Sequence, residues 1–420
     1  LTRLRALDRR RRDALISAGS SFGVYGLSVL TGPLLGRALG PAGRGDLAAV
    51  VVPTQLLAWI LTFGIPAASA YYAPTHKRRE LNMGAWVFAL LVGAPLAAVA
   101  WPLVPRYLQG HDPVTIDFFR AGLVAGLLIL PQYACLDCLN GRGRNLRFNA
   151  LRHLALVSYS LCVLVLAATD RLTLRSALTA WLVSNLFGAA AAFSYGWGWP
   201  TGGFRLATLR AQLRYGSRVA FGQAAQMVMG RLDQFMMVGL VSPTQLGLYA
   251  VAVTAAGVSG AIGSGLALAV FPHVRNAATV EERRATLQRS LRWVAVASLS
   301  LGTLVGVSAP WVLTFLFGPE FSGSLTPLWI LLPGQFCYDL ANLLSSSLQA
   351  QGRPGSASRG LALAAAITAV GLLLAVRPYG IVGAAAVTTF SQFAFLCYVA
   401  AASKRSERRV VDLLPQTVAA

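Results

Sequence analysis

The chain has 420 residues, of which 55% are hydrophobic and only 12% are charged, and its formal net charge is +21. This composition excludes an ordinary soluble domain, in which about 25% of residues are charged, and indicates a membrane protein. The positive charge does not indicate nucleic-acid binding, because the arginines stand in short links between apolar runs and not on one basic folded face. The five cysteines also fall within apolar runs, where no secretory disulfide framework is expected.

Twelve apolar runs are long enough to cross a bilayer, since a membrane helix needs about 20 such residues. We number these predicted spans one to twelve in chain order: 14–36, 47–72, 83–104, 118–139, 151–169, 174–197, 217–241, 245–271, 291–317, 325–349, 359–376 and 380–402. With the N-terminus in the cytoplasm, most of the 36 lysine and arginine residues lie on the cytoplasmic side. The sequence therefore predicts an all-α polytopic membrane protein with both termini in the cytoplasm.

The two halves of the chain repeat each other at an offset of 202 residues, with LPxxxCxDxxN starting at Leu130 and again at Leu332. An even number of spans separates the copies, so the halves have the same orientation. This predicts two six-helix bundles in a parallel pseudo-repeat, facing each other across a central cavity. The predicted boundaries are a basic cytoplasmic N-terminus at 1–13, an N-terminal bundle at 14–199, an amphipathic cytoplasmic linker at 200–216, a C-terminal bundle at 217–402 and a basic cytoplasmic tail at 403–420.

The seventh span carries Arg231 and Asp233 inside an apolar run. An ionisable side chain at bilayer depth costs from about 3 to well over 10 kcal/mol unless it faces water, a partner or a ligand. Residues two apart on a helix do not face each other, so these two cannot simply neutralise one another. We assign Arg231 to a substrate or gating role, against the alternative of a structural ion pair with an acid of another span.

The other candidate residues of the transport cavity are polar or charged side chains in a span or in the turn after span one. The whole set is Arg231, Asp233, Asp339, Asp137, Gln226, Asn342, Arg37 and Arg44. Asp339 and Asp137 lie near the inner ends of their spans, where an acid can also cap a helix or bind a loop arginine, and both interpretations stay open. Pro131 and Pro333 recur at equivalent places beside these acids, and each is either a hinge or a plain kink.

Catalytic and metal-binding signatures fail in context. GSSFG from Gly19 matches GxSxG but lies in mid-span, whereas a nucleophile elbow joins a strand to a helix. Cys135 and Cys138 form CxxC on a membrane helix without a βαβ setting, the four histidines lack ligand spacing, and no Walker A loop occurs. We therefore expect no enzyme activity, no catalytic residue, no metal and no cofactor, while coupling to H⁺ or Na⁺ stays open because acids lie in the spans.

Three stretches resemble a known family: LLGRALGPAGRGDLAAV from Leu34, RLDQFMMVGLVSPTQLGLYAVA from Arg231 and LFGPEFSGSLTPLWIL from Leu316. They are similar to oligosaccharide flippases of the Wzx-type, or polysaccharide transporter, branch of the MATE-like MOP exporter superfamily. The resemblance implies a polyprenyl-diphosphate-linked oligosaccharide moved by alternating access from the cytoplasmic to the outer leaflet of the bacterial plasma (inner) membrane. The product would be a surface polysaccharide such as O-antigen, capsule or exopolysaccharide. Polymerase or export components are the implied partners, and anionic lipids would hold the basic cytoplasmic links.

Three alternative functions stay open. In a MATE-type cation or drug antiporter, Asp339, Asp233 and Asp137 would bind the cation, but an arginine in the same cavity argues against a cationic cargo. A membrane glycosyltransferase or polymerase generally needs an extended external loop carrying acids, and the external links here are short. In a bare scaffold of an export complex, replacing Arg231 would leave transport intact.

Overall fold

The computed structural model describes residues 2–196, 199–201, 203–276, 279–351 and 353–417, and every regular element within these ranges is a helix. The predicted all-α class is confirmed. The α-helices are α1 (Thr2–Leu61), α2 (Ile65–Tyr72), α3 (Arg78–Phe88), α4 (Ala94–Ala100), α5 (Val104–Tyr107), α6 (Pro113–Gly126), α7 (Ile129–Gly141), α8 (Asn145–Ala168), α9 (Leu174–Gly196), α10 (Leu206–Met237), α11 (Pro243–Asn276), α12 (Val280–Phe317), α13 (Leu325–Ala350) and α14 (Pro354–Thr417). A π-helix lies at Ala89–Gly93, and 3₁₀ turns lie at Trp101–Leu103 and Pro319–Ser324.

Some predicted positions fall outside this description. They are residue 1 of the basic N-terminus, residues 197, 198 and 202 around the linker, residues 277, 278 and 352 of the C-terminal bundle, and residues 418–420 of the tail. The side chains of the GSSFG stretch at 19–23 lie outside it as well.

Two of the long helices are each interrupted by a glycine. Gly40 in α1 has a φ of 64° and Gly380 in α14 has a φ of 56°, a left-handed conformation that glycine adopts without steric cost. Each helix therefore consists of two arms that meet at the glycine. With these breaks counted, all twelve predicted spans fall on helical segments, because sustained apolar runs favour helices in a bilayer.

Length and hydropathy select six of the described helical stretches as able to cross a membrane, and the bent pair α6 and α7 adds a seventh. One of the six, Gly355–Arg405, contains both span eleven and span twelve. α12 has a long apolar outer surface, which fits contact with lipid and not with water. Seven of its large apolar residues are between 59% and 74% exposed. They are Trp293, Val296, Leu299, Leu304, Val307, Trp311 and Phe315. The chain is a multi-pass membrane protein.

The chain divides into two compact units. The first contains residues 1–224 with 242–244, and the second contains residues 225–241 with 245–420. The linker expected at 200–216 is not a separate element from Leu206 onward, because α10 runs without interruption to Met237. Its face with Leu209 and Gln212 is buried, and Gln212 Nε2 donates hydrogen bonds to Ser69 Oγ at 2.9 Å and to the Leu81 carbonyl at 3.1 Å. This part of α10 therefore packs within the first unit.

Three neighbouring helices of the first unit are interrupted at one level. Span two breaks between α1 and α2, where Phe63 and Gly64 have φ values of 46° and 69°. Span three contains the π-helix, and span four bends by 42° between α6 and α7. Gly93, the last residue of the π-helix, lies close to both of the other breaks. A Cβ atom built on it would lie 2.8 Å from Leu127 Cδ2 and 4.0 Å from Leu61 Cδ1, so the three interruptions are adjacent. We name residues 61–64, 89–93 and 127–128 the break layer.

The second unit has no comparable break in span ten. Helix α13 continues through Pro333, and its later residues, including Leu343 and Leu348, are buried in a core shared with α10, α12 and α14. Phe395 of α14, which is 1% exposed, lies in the same core. Membrane helices tolerate an internal proline where neighbouring groups satisfy the freed carbonyl.

Candidate functional site

Asp233 lies on α10 and is buried in the second unit. Its Oδ2 accepts a hydrogen bond from Tyr249 Oη at 2.7 Å, and its Oδ1 accepts one from the backbone N–H of Gln234 at 2.7 Å. Tyr249 Oη also lies 3.2 Å from Thr388 Oγ1, so one network joins α10, α11 and α14. Among the described residues, no basic side chain lies within 4 Å of the carboxylate. Its hydrogen bonds come from neutral donors, and Arg231 interacts with it electrostatically from beyond 4 Å.

Arg231 is exposed, unlike Asp233 two residues later on the same helix. The structure thus agrees with the helical geometry that separates the two side chains. Within the described part of the chain, no carboxylate lies within 4 Å of this guanidinium. The alternative of a structural ion pair therefore has no partner there.

Asp339 on α13 is the most deeply buried of the predicted acids, with 1% of its surface exposed. Ser298 Oγ of α12 donates to its Oδ2 at 2.7 Å, and Gln335 Nε2 donates to its Oδ1 at 2.9 Å. Gly260 of α11 covers this network, since a Cβ atom there would contact Gln335 Nε2 and lie 3.2 Å from Asp339 Oδ1. The acid therefore links α12 to α13, and among the described residues no arginine lies within 4 Å of it.

Asp137, the counterpart of Asp339, has a different environment. It is half-buried on α7, and its nearest charged neighbour is Arg152 of α8, which interacts with it electrostatically without forming an ion pair within 4 Å. Arg152 itself is exposed and lies over the Phe148 ring, 5.6 Å from its centroid. Here the interpretation of an acid beside a basic residue of the adjoining link fits better.

The remaining predicted residues are distributed over both units. Arg37 is exposed and Arg44 is half-buried in the first unit, and each already has a contact within the chain. Asn342 is half-buried on α13, and Gln226 is exposed on α10. The structure thus places Asp233 and Asp339 in separate polar networks of the second unit, with Arg37, Arg44 and Asp137 in the first.

The two prolines also differ. Pro131 is the third residue of α7, directly after the 42° bend, whereas Pro333 lies inside the uninterrupted α13. A bend at the first position fits a hinge, and a helix that continues through the second fits a proline accommodated by packing. Hinge motion at either position stays a prediction.

Sequence reasoning missed the neutral donors and one buried pair. Ser298 and Thr388 come from helices distant in sequence, and no pattern marks them. Tyr249 carried a signal, because it ends the LGxY that follows the span-seven aspartate. Asp46 and His111 form a buried contact of 2.7 Å between Oδ1 and Nδ1 across 65 residues of sequence. Asp46 lies in the stretch from Leu34 that resembles the flippase family, but nothing in the sequence pairs it with His111.

Comparisons with known proteins agree with this fold. The family described as "Polysaccharide biosynthesis protein" matches residues 11–278. None of the curated proteins compared with the chain matches it.

Several solved structures are similar over nearly the whole chain. An inward-facing multidrug resistance MATE family transporter of the MOP superfamily has a TM-score of 0.75 at 13% identity, covering 93% of this chain and 95% of its own. The lipid II flippase MurJ, in an inward closed conformation, has a TM-score of 0.75 at 11% identity, covering 93% and 87%. A MOP superfamily transporter from Pyrococcus furiosus, whose binding pocket is described as of reverse polarity, has a TM-score of 0.57 at 16% identity, covering 94% of both chains. At these identities the likeness shows the fold, and the predicted MATE-like MOP architecture is confirmed.

Proposed function

Because the chain belongs to the polysaccharide biosynthesis protein family, we propose that it is a flippase for polyprenyl-diphosphate-linked oligosaccharide. In this proposal the lipid-linked sugar crosses by alternating access from the cytoplasmic to the outer leaflet of the bacterial plasma membrane. Both termini lie in the cytoplasm, and polysaccharide polymerase or export components use the product. The protein is a transporter, not an enzyme.

The observation that carries the proposal is Arg231. It stands on a membrane helix with an exposed guanidinium and, among the described residues, no carboxylate within 4 Å. A cation in that position is stabilised by water or by an anionic ligand. A diphosphate supplies the anion, and arginine binds phosphate oxygens in a bidentate manner that also fixes their orientation.

The buried acids of the second unit support coupling to an ion. The hydrogen bonds of Asp233 and Asp339 come only from neutral donors. A proton or a sodium ion that binds either carboxylate would take the place of one of these hydrogen bonds. We propose that H⁺ or Na⁺ binds at one of these acids during transport. Reconstituted protein should then transport faster under an inward gradient of the coupling ion than without it.

The break layer supports the conformational part of the proposal. Helix interruptions concentrate bending at a few residues, whereas an unbroken helix resists it. Three adjacent interruptions at one level give the first unit a place to bend. In the second unit, α13 is continuous across the equivalent position.

The proposal is tested in proteoliposomes that contain a fluorescent polyprenyl-diphosphate oligosaccharide, with translocation scored by protection from an external lectin. Arg231→Ala should insert normally and reduce the initial rate at least about tenfold, which corresponds to a loss of about 1.4 kcal/mol. Arg231→Lys should retain part of the rate, because it keeps the charge and loses the bidentate geometry.

The matched control is Arg289→Ala, which removes an exposed arginine from α12. Its rate should equal that of the unaltered protein. An unchanged rate for Arg231→Ala at equal insertion would contradict the role of this arginine and would favour the scaffold alternative.

One observation favours a second function, a MATE-type cation antiporter. The two buried acids of the second unit have no basic partner within 4 Å among the described residues, as a cation site requires. In that case a lipophilic cation would stimulate proton flux through the reconstituted protein, and Arg231→Ala would increase the flux by removing a repulsive charge.

A further inference from the structure

A small cavity lies inside the first unit, beside the bend in span four. Its volume is about 20 Å³, and it is bounded by the second arm of α1, by α6 and α7 on either side of the bend, and by α9. The apolar part of its wall includes Gly126, Leu128 and Ile129, which flank the bend itself. Its polar lining residues are Thr54, Gln55, Gln132, Trp181 and Asn185.

The lining contains a hydrogen-bond donor without an acceptor. Trp181 is 7% exposed, and its indole Nε1 is buried with no hydrogen-bond partner among the described residues. An unsatisfied buried N–H costs about 1–3 kcal/mol, and buried tryptophans normally find a partner. Something that accepts a hydrogen bond is therefore expected beside this nitrogen.

The other lining groups have spare capacity for the same ligand. Asn185 uses its Nδ2 to donate to the Trp181 carbonyl at 2.8 Å, which leaves the amide oxygen as an acceptor. Thr54 Oγ1 donates to the Val50 carbonyl at 2.6 Å and keeps its lone pairs. Gln132 is 9% exposed, and its side-chain carboxamide can both donate and accept hydrogen bonds.

Size and charge restrict the ligand. One water molecule needs roughly 10–15 Å³ of such volume and two to four polar partners, and this cavity supplies both. No charged side chain lines it, and a donor directed at the ligand disfavours a cation. A sugar or a lipid chain is too large.

We propose that this cavity is a binding site for an ordered water molecule. The water accepts a hydrogen bond from Trp181 Nε1 and donates to oxygens of Thr54, Gln132 or Asn185. It thereby connects α9 and α1 to α7, just after the bend in span four. The water site is the same whichever substrate the protein carries.

An isosteric pair of variants tests the proposal. Ala189 lines the cavity and is 3% exposed, so Ala189→Thr and Ala189→Val both fill the cavity with nearly the same volume. Threonine replaces the water with a hydroxyl, whereas valine displaces it and leaves the indole N–H unsatisfied. The threonine variant should therefore melt higher than the valine variant, on the order of 2 °C or more in apparent Tm.

The matched control is the same pair at Ala191, which lies on α9 like Ala189. It packs in an apolar cluster with Leu136 of α7 and Leu151 of α8. There valine should melt at least as high as threonine. An equal or higher Tm for Ala189→Val than for Ala189→Thr would overturn the water site and indicate a dry void.

A direct measurement on the unaltered protein covers the case in which both variants fail to fold. A structure at about 2 Å resolution should show a density peak at hydrogen-bond distance, about 3 Å, from Trp181 Nε1. An empty cavity would overturn the proposal.

Discussion

The two copies of LPxxxCxDxxN have the same residues and different surroundings. In the first copy, the helix begins only at Ile129 after a bend, and Asp137 is half-buried near an exposed arginine. In the second copy, α13 is continuous and Asp339 is buried with two neutral donors. One of these donors, Gln335, is replaced by Tyr133 at the equivalent position of the first copy. A repeated motif thus marks a repeated place in the fold, while neighbouring helices decide the chemistry.

The largest expected effect is on the transport rate, and it should differ between Asp339 and Asp137. Asp339→Ala removes the acceptor of both Ser298 and Gln335 inside the bilayer, so transport should fall at least about tenfold. Asp137→Ala should stay within about threefold of the unaltered rate, because partly exposed charges contribute little. The measurement is the liposome translocation rate at matched protein levels. Equal losses for both variants would mean that the repeat preserves function as well as position.

A smaller effect concerns the glycine above the Asp339 network. Gly260→Ala places a methyl group against Gln335, and overpacking of this kind costs about 1–3 kcal/mol. Thermal unfolding in detergent should show a lower Tm for this variant. Gly257→Ala on the same helix is the control, because a Cβ atom there meets no other atom within 4 Å. A similar drop for both variants would indicate a general intolerance of α11 to larger residues.

The smallest expected effect is on stability, when one neighbour of each of the two acids is removed. Ser298→Ala deletes one donor to a buried carboxylate and should lower stability by about 1–3 kcal/mol. Arg152→Gln deletes the exposed neighbour of Asp137 and should change stability by less than about 1 kcal/mol. Urea or thermal unfolding measured side by side gives the ranking. A larger loss for Arg152→Gln would show that the first copy also depends on its charged neighbour.

Much of the helical architecture could be predicted from the sequence, because a bilayer requires apolar runs of fixed length and the chain supplies twelve. The break at Gly40 follows from local chemistry, because glycine precedes Pro41 there. The breaks at Phe63 and in the π-helix carry a similar local signal, because Pro66 follows the first and Pro95 follows the second. The sequence does not show that these two breaks lie side by side.

The candidate site was predicted less completely than the fold. The sequence identifies Asp233 and Asp339 because acids are rare within apolar runs. It does not identify Ser298, which lies 41 residues before Asp339, because serine is compatible with any membrane helix. It also does not decide what Arg231 contacts, since the ligand of a transporter is not part of its chain.

The central claim is tested most directly by reconstituting the unaltered protein in liposomes with a labelled polyprenyl-diphosphate oligosaccharide in both leaflets. External lectin or hydrolase is then added, and the protected fraction is followed over time. The account predicts that the protein makes the inner pool accessible far faster than protein-free liposomes do, and that Arg231→Ala slows this at least about tenfold. Accessibility no faster than in protein-free liposomes, with the protein correctly inserted, would contradict it.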